Sequence, residues 1–136
     1  MIRVKKPYRL LIADDDPAFR QTLKLVFERH FFMFEAESGE EALEIGERER
    51  IDIALVDMHM RLLTGLETLR LLKRIHAAAP CILITADVTD ELRQDAATDV
   101  FDVLSKPVSK SELVSTVSTA LGEVYEDPDY LPRVLP

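Results

Sequence analysis

The sequence lacks the features that mark secreted and membrane-spanning proteins. Cys81 is the only cysteine, so no disulfide can form within the chain, and its apolar surroundings predict a buried thiol. No apolar run approaches the roughly 20 residues that a membrane-spanning helix needs. Residues 1–10 contain no apolar segment typical of a secretory signal. We therefore expect a cytoplasmic protein that does not contact a membrane.

Basic residues are outnumbered by acidic ones, 17 against 25, and the net charge is -8 at pH 7. Proteins that bind phosphate backbones use clustered lysines and arginines. The one basic cluster, Arg3, Lys5, Lys6 and Arg9, is interpreted as a solvated N-terminal arm. We predict no direct nucleic-acid binding by this chain, whereas its acidic balance is compatible with a cation site.

Strand-like and helix-like segments alternate along the chain. Apolar, β-branched or aromatic runs predict five strands, at residues 8–13, 31–36, 53–56, 81–85 and 100–104. A helical pattern follows each run, which favours an α/β fold with a parallel sheet. We expect a five-stranded doubly wound sheet in the flavodoxin-like order 2-1-3-4-5, with five helices on its two faces in a three-layer sandwich.

The length of 136 residues suits one domain. Gly122 is predicted to end the last helix, and the three prolines after it indicate an extended tail or the start of a linker. The predicted organisation is an N-terminal arm, a domain and a tail, at residues 1–7, 8–121 and 122–136.

Local signals mark where individual helices begin. Asp16 is predicted to cap the first helix, in which Pro17 suits the first turn. Asp90 is predicted to cap a short, polar fourth helix, which we expect to be the least firmly packed element.

Five polar side chains follow or end the predicted strands. Asp14 and Asp15 come after the first strand, Asp57 after the third, Thr85 ends the fourth and Lys106 follows the fifth. Each has an ordinary interpretation alone, as a helix-capping acid, a strand-end hydroxyl or a surface charge. Parallel strands bring their carboxyl ends to one edge, so we expect these groups to converge.

Converging carboxylates repel one another unless a proton or a cation neutralises them. Carboxylate oxygens suit Mg²⁺, which often bridges protein acids to a phosphate. Phosphoryl transfer needs mainly positioning and charge neutralisation, and a carboxylate can act as its nucleophile. The pattern therefore predicts a magnesium-dependent phosphoryl site.

These segments resemble the response-regulator receiver domain of two-component signalling. The matching segments cover about residues 8 to 121 and read LLIADDDPAFR, DIALVDMHMRLLTGLETL, ILITA and VLSKP. Each motif is weak alone, but four in the right order at the ends of the right strands are specific.

The resemblance implies that Asp57 accepts a phosphoryl group from a histidine kinase or phosphotransfer protein. Asp15 and Asp57 would bind Mg²⁺ or Mn²⁺ directly, and Asp14 would act through water. The backbone carbonyl of His59 would complete the metal shell. Lys106 would contact the phosphoryl group. The domain would catalyse only its own phosphorylation and dephosphorylation.

The resemblance assigns further positions. Thr85 would bind the phosphoryl group, and the small Ala86 would leave the acceptor accessible. His59 and Asp87 would tune the lifetime of the phosphoryl group. Pro107 would follow a cis peptide bond.

The resemblance also implies a switch at the surface of the fourth helix, fifth strand and fifth helix. The signal would pass to a downstream protein or fused output domain, and a homodimer through the fourth and fifth helices is possible. The sequence departs from the family pattern at Arg61, where proline is usual, and at Val103, where an aromatic residue reports phosphorylation. Residues 97–102 also lack the glycine often seen before the fifth strand.

Three alternatives remain open. A receiver-like interaction module could work without phosphorylation. A phosphatase with an aspartyl nucleophile would need a second acid where His59 stands. A flavin-binding module with the same sheet order would need hydroxyl and amide groups after the first strand, where this chain has carboxylates.

Overall fold

A five-stranded parallel sheet forms the centre of the computed structural model, which describes residues 4–133. Strands and helices alternate along the chain, so the predicted α/β class is confirmed. The elements are β1 (Arg9–Ala13), α1 (Pro17–Phe27), β2 (Phe32–Ala36), α2 (Gly39–Arg48), β3 (Ile53–Asp57), α3 (Gly65–Ile75), β4 (Cys81–Thr85), α4 (Asp90–Ala96), β5 (Asp102–Ser105) and α5 (Lys110–Tyr125).

The sheet has the predicted order β2-β1-β3-β4-β5, and all neighbouring strands are parallel. Side chains alternate between its two faces, as the strand period requires. In β1, Leu10 and Ile12 pack with the apolar residues of α1 and α5. Leu11 and Ala13 pack on the opposite side, with α2, α3 and α4. This double coverage explains the continuous apolar runs and confirms the three-layer sandwich.

Side-chain caps fix where the helices begin. Asp16 caps α1 as predicted, because its carboxylate accepts a hydrogen bond from the backbone N–H of Ala18 at 3.0 Å. The prediction that Asp90 caps α4 is wrong. Thr89 is the cap, since its backbone is extended and its hydroxyl accepts from the N–H of Leu92 at 3.0 Å.

Five strand ends differ from the prediction. β1 and β2 each begin one residue later than predicted, at Arg9 and Phe32, and β5 ends one residue later, at Ser105. Asp57 is the last residue of β3 rather than the residue after it. β5 begins at Asp102 rather than at Val100, because the N–H of Val100 still donates to Ala96 O in the turn that ends α4.

The prediction that Gly122 ends the last helix is wrong, because α5 continues to Tyr125 and Glu126 adopts the left-handed conformation after it. A Cβ at Gly122 would lie 3.1 Å from the Cβ of Pro128, so the glycine lets the following segment fold back closely. Leu131 in that segment is buried in the core between α1 and α5. The described part of the predicted tail therefore packs on the domain.

The N-terminal arm is described from Val4 onward, so Arg3 of the basic cluster lies outside the described residues. Lys6 pairs with Asp127 at 2.9 Å. Arg9 belongs to β1 and contacts Glu49 at 2.6 Å, so it is not part of a solvated arm. Within residues 4–133, every helix is too short or too polar to cross a bilayer.

Three tyrosines close the amino edge of the sheet. The rings of Tyr8 and Tyr125 stack with centroids 5.2 Å apart, and Tyr130 meets Tyr8 edge-on at 4.7 Å. The Tyr8 hydroxyl donates to Asp127 at 2.9 Å. Tyr125 donates to the backbone carbonyl of Asp52 at 2.6 Å. Each of these two hydroxyl groups therefore has a partner.

Asp52 is the buried acid of this edge, with 2% of its surface exposed. Its carboxylate accepts the backbone N–H of Arg9 at 2.8 Å and the guanidinium of Arg50 at 3.2 Å. One carboxylate thus meets one guanidinium and one backbone donor, and its charge is locally matched.

Candidate functional site

Two aspartates and a lysine meet at the carboxyl edge of the sheet. Asp14 follows β1 and is 1% exposed, and Asp57 ends β3 and is 5% exposed. The Nζ of Lys106, just after β5, lies 2.9 Å from Asp14 Oδ2 and 3.0 Å from Asp57 Oδ1. The structure therefore brings together side chains from three separate strand ends, as the convergence argument requires.

Burial raises the pKa of the Asp57 carboxyl, and the negative charge of Asp14 adds to the rise while Lys106 opposes it. Burial alone would lower the pKa of the Lys106 ammonium, but its hydrogen bonds to Asp14 and Asp57 raise the pKa overall. The single positive charge of Lys106 therefore does not fully offset the negative charge of the two buried carboxylates beside it.

A third acid completes the cluster. Asp15 is exposed, yet it offers a carboxylate oxygen that lies with oxygens of Asp14 and Asp57 within 4.8 Å of one another. Three hard oxygen donors with one side open to solvent are the ligand type that Mg²⁺ prefers. The acidic cluster therefore fits a divalent cation.

The loop between β1 and α1 is held by contacts that sequence reasoning missed. The guanidinium of Arg20 donates to the backbone carbonyl of Asp14 at 2.6 Å. The Asp14 carboxylate accepts the backbone N–H of Asp16 at 2.8 Å. Arg20 ends the quoted segment LLIADDDPAFR, but its place on α1 does not indicate that its side chain contacts the preceding loop.

Thr85, His59 and Asp87 form a second group beside the acids. The hydroxyl of Thr85, which is fully buried, lies 3.2 Å from His59 Nε2 and accepts the backbone N–H of Asp87 at 3.1 Å. His59 Nε2 also lies 3.4 Å from a carboxylate oxygen of Asp87. The backbone N–H of His59 donates to Asp57 at 3.2 Å. Ala86 is exposed next to this group.

The loop from β3 to α3 returns directly onto the backbone of Asp57. A Cβ at Gly65 would lie 2.2 Å from the carbonyl oxygen of Asp57, so no larger residue fits without movement. Thr64 and Glu67 form a reciprocal capping box that starts α3 at this point. In the same loop Leu62 has a positive φ of 65° and is 87% exposed. The T-x-x-E spacing is the signal from which this helix start could have been found.

The remaining predicted positions lie around β5. The Lys106–Pro107 bond is cis, as the resemblance implies. The backbone N–H of Lys106 donates to Thr85 O at 2.8 Å, which fixes the lysine beside β4. Val103 is buried among the apolar residues facing α2, α3 and α4, apart from the acids.

Phe19 is a site neighbour that sequence reasoning assigned only to the apolar face of the first helix. Its ring centroid lies 4.1 Å from the Nζ of Lys106, so the ammonium sits over an aromatic face. A cation over a phenyl ring at this distance is attracted by the ring's quadrupole.

Comparisons with known proteins identify the family and the fold of the chain. The family model described as "Response regulator receiver domain" matches residues 10–118. The transcriptional regulatory protein GlrR of Escherichia coli (strain K12) is 33% identical over 123 residues. That match covers 87% of this chain but only 27% of GlrR, so the chain spans about a quarter of that relative's length.

Solved structures with this fold include a response regulator receiver domain protein from Methanospirillum hungatei JF-1. It superposes with a TM-score of 0.83 at 24% identity, over 88% of this chain and 97% of that one. The response regulator protein TrrA of Thermotoga maritima, in complex with Mg(2+)-BeF, has a TM-score of 0.74 at 29% identity. That likeness covers 84% of this chain and 99% of TrrA.

Proposed function

Because the chain belongs to the response regulator receiver domain family, we propose that Asp57 accepts a phosphoryl group from a histidine kinase or phosphotransfer protein. The observation that carries the proposal is the position of the Asp57 carboxylate, which is buried at the end of β3 and lies 3.0 Å from the Lys106 ammonium. A carboxylate held beside a fixed cation is suited to receive an anionic group.

In the proposed step, a carboxylate oxygen of Asp57 attacks the phosphorus atom of the donor. A new oxygen–phosphorus bond forms, the nitrogen–phosphorus bond of the phosphohistidine breaks, and its electron pair stays on the imidazole of the donor. The Lys106 ammonium and the Thr85 hydroxyl then bind phosphoryl oxygens. The present contacts of Lys106 with Asp14 and Asp57 support this role.

The acidic cluster supports a role for Mg²⁺, or Mn²⁺ in its place. We propose that Asp15 and Asp57 hold the ion directly, with Asp14 acting through water and the His59 carbonyl as a further ligand. The bound ion would supply positive charge that lets an anionic donor approach three carboxylates. TrrA, whose structure contains Mg(2+)-BeF, supports the assignment by analogy.

We propose that phosphorylation shifts the domain between two states that differ at the surface of α4, β5 and α5. The signal passes from this surface to a downstream protein or to a fused output domain. The proposal includes a homodimer that forms through α4 and α5. Val103 has no ring or hydroxyl to rotate, so the shift would rely on the backbone. Equal amide exchange over residues 90–121 with and without a phosphoryl mimic would refute this surface.

His59 and Asp87 are proposed to set how quickly water removes the phosphoryl group. Both flank Thr85, and His59 contacts the Thr85 hydroxyl at 3.2 Å. Replacing either residue by alanine is expected to change the lifetime of the phosphoryl group more than the affinity for Mg²⁺. Equal lifetimes in both variants and the wild type would refute this role.

The test of phosphorylation is intact mass after incubation with acetyl phosphate and Mg²⁺. We expect the wild type to gain one phosphoryl group only when Mg²⁺ is present, and Asp57→Asn to gain none. Asp16→Asn is the matched control, because asparagine also caps helices well and Asp16 lies outside the acidic cluster. This control should be modified as the wild type is.

Two other outcomes would favour the alternatives. No mass gain in the wild type, under conditions that modify a working receiver, would favour an interaction module that works without phosphorylation. Repeated turnover of an added phosphoester by catalytic amounts of protein would favour a phosphatase with an aspartyl nucleophile.

A further inference from the structure

The ammonium of Lys106 is held on two sides by chemically different partners. Carboxylate oxygens of Asp14 and Asp57 lie 2.9 Å and 3.0 Å from its Nζ. The ring of Phe19 lies on another side, with its centroid 4.1 Å from the same atom. The lysine side chain is 24% exposed, so most of it is covered by the protein.

The fold ties Phe19 to the acids as well as to the lysine. Asp14 accepts the N–H of Asp16, and Asp16 in turn caps the helix that carries Phe19. The ring therefore lies about one turn after a residue that the Asp14 carboxylate itself orders. Asp14 and Phe19 thus both contact the Lys106 ammonium, Asp14 through a carboxylate oxygen and Phe19 through its ring.

The two kinds of partner respond differently to a bound cation. An ion bound at Asp14, Asp15 and Asp57 would partly neutralise the carboxylates that now attract Lys106. Their attraction for the ammonium would then be weaker. The aromatic face does not bind a hard divalent ion in competition with oxygen ligands, so its attraction for the ammonium persists.

We propose that Phe19 is a positioning residue, which holds the Lys106 ammonium beside Asp57 when a cation occupies the acids. This inference rests on the proposed function, in which Lys106 contacts the incoming phosphoryl group. Phe19 acts through Lys106 and does not touch the reacting atoms.

A purely structural role must be separated from this one, because Phe19 also packs partly buried against the core between α1 and α5. Phe19→Leu keeps an apolar side chain but removes the aromatic face. Phe19→Tyr keeps the face and serves as the matched control. Lys106→Met removes the ammonium while keeping a long side chain, so a double-mutant cycle isolates the contact.

The first experiment measures the initial rate of mass gain from acetyl phosphate at saturating Mg²⁺. We expect Phe19→Leu to be slower than the wild type by about fivefold, which corresponds to a typical cation–π attraction. Phe19→Tyr should be within about twofold of the wild type. In the Lys106→Met background, Phe19→Leu should have no further effect.

The second experiment needs no phosphorylation. In the Mg²⁺-bound protein, the ε-methylene protons of Lys106 should be shifted upfield by the ring current of Phe19. Those signals are assigned by their loss in Lys106→Met. The upfield shift should disappear in Phe19→Leu and remain in Phe19→Tyr.

Several results would overturn the proposal. Equal slowing by Phe19→Leu with and without Lys106 would mean that the ring serves packing only. Unchanged Lys106 proton shifts in Phe19→Leu would show that the ring does not contact the ammonium in the ion-bound protein. If the wild type is phosphorylated and Phe19→Leu is phosphorylated at the same rate, the positioning role alone is refuted. An unmodified wild type would refute the proposed function, and the positioning role with it.

Discussion

The two edges of the sheet differ in how their buried carboxylates are paired. At the amino edge, the Asp52 carboxylate is met by the Arg50 guanidinium and a backbone N–H. At the carboxyl edge, Asp14 and Asp57 are buried together and share one lysine. At the amino edge the carboxylate charge is neutralised within the protein. At the carboxyl edge, negative charge remains for a ligand to neutralise. Incomplete pairing therefore marks the edge at which function is expected.

The largest change in stability is expected when a tyrosine is removed from the amino edge. Tyr125→Ala removes a buried ring that stacks on Tyr8 and a hydroxyl that donates to Asp52 O. We expect the free energy of unfolding to fall by about 3–4 kcal/mol, as for other buried aromatic side chains replaced by alanine. Urea unfolding at 25 °C followed by circular dichroism measures it.

Tyr125→Phe is the matched control for this change. It keeps the stacked ring and loses only the hydrogen bond, so the expected loss is about 1 kcal/mol. A loss of less than about 1 kcal/mol in Tyr125→Ala would mean that the tyrosines do not close this edge.

Removing a carboxylate at the carboxyl edge should instead raise the free energy of unfolding. Asp57→Asn removes one of the two buried carboxylates that share Lys106, and its single amide oxygen can accept from the His59 N–H or from Lys106 but not from both. Without Mg²⁺, we expect the free energy of unfolding to rise by about 1 kcal/mol, because repulsion from Asp14 is relieved and Lys106 keeps one partner. Urea unfolding in the presence of a chelator measures the change.

Adding Mg²⁺ should change the stabilities of the wild type and Asp57→Asn by different amounts. The ion should stabilise the wild type more than Asp57→Asn, because binding to the folded state adds to its stability and the variant lacks one ligand. If Asp57→Asn proved less stable than the wild type without Mg²⁺, repulsion between the Asp14 and Asp57 carboxylates would not be what limits the stability of this edge.

The smallest effect is expected at Cys81, which begins β4 at the amino edge and is 2% exposed. Burial raises the pKa of its thiol to about 11, so almost no thiolate is present at pH 8. We expect a chromogenic disulfide reagent to label the folded protein at least on the order of a hundredfold more slowly than the urea-unfolded chain. Rapid labelling of the folded protein would show that the amino edge opens readily.

Sequence periodicity was enough to predict the fold and the convergence of the acids. Both depend on local features, namely apolar runs, helical spacing and polar residues at strand ends, which parallel topology carries to one edge. The end of α5 was missed because Gly122 makes room for Pro128 instead of ending the helix.

Contacts between distant parts of the chain could not be predicted in this way. The apolar stripe that includes Phe19 is typical of a core-facing helix, and only the structure shows that its ring meets Lys106. Arg20 reaches the Asp14 carbonyl from only six residues away, but no strand or helix period specifies that contact. Periodicity assigns a residue to a face, but the partner on that face depends on tertiary packing.

The close approach of Gly65 to the Asp57 carbonyl has a consequence for protein engineering. In a saturation library of the loop from β3 to α3, only glycine should survive selection at position 65, since a Cβ would lie 2.2 Å from that oxygen. The exposed Leu62, with its φ of 65°, should instead accept many replacements, with glycine and asparagine enriched. New loop sequences can therefore be grafted beside the acidic cluster as long as Gly65, the first residue of α3, is left unchanged.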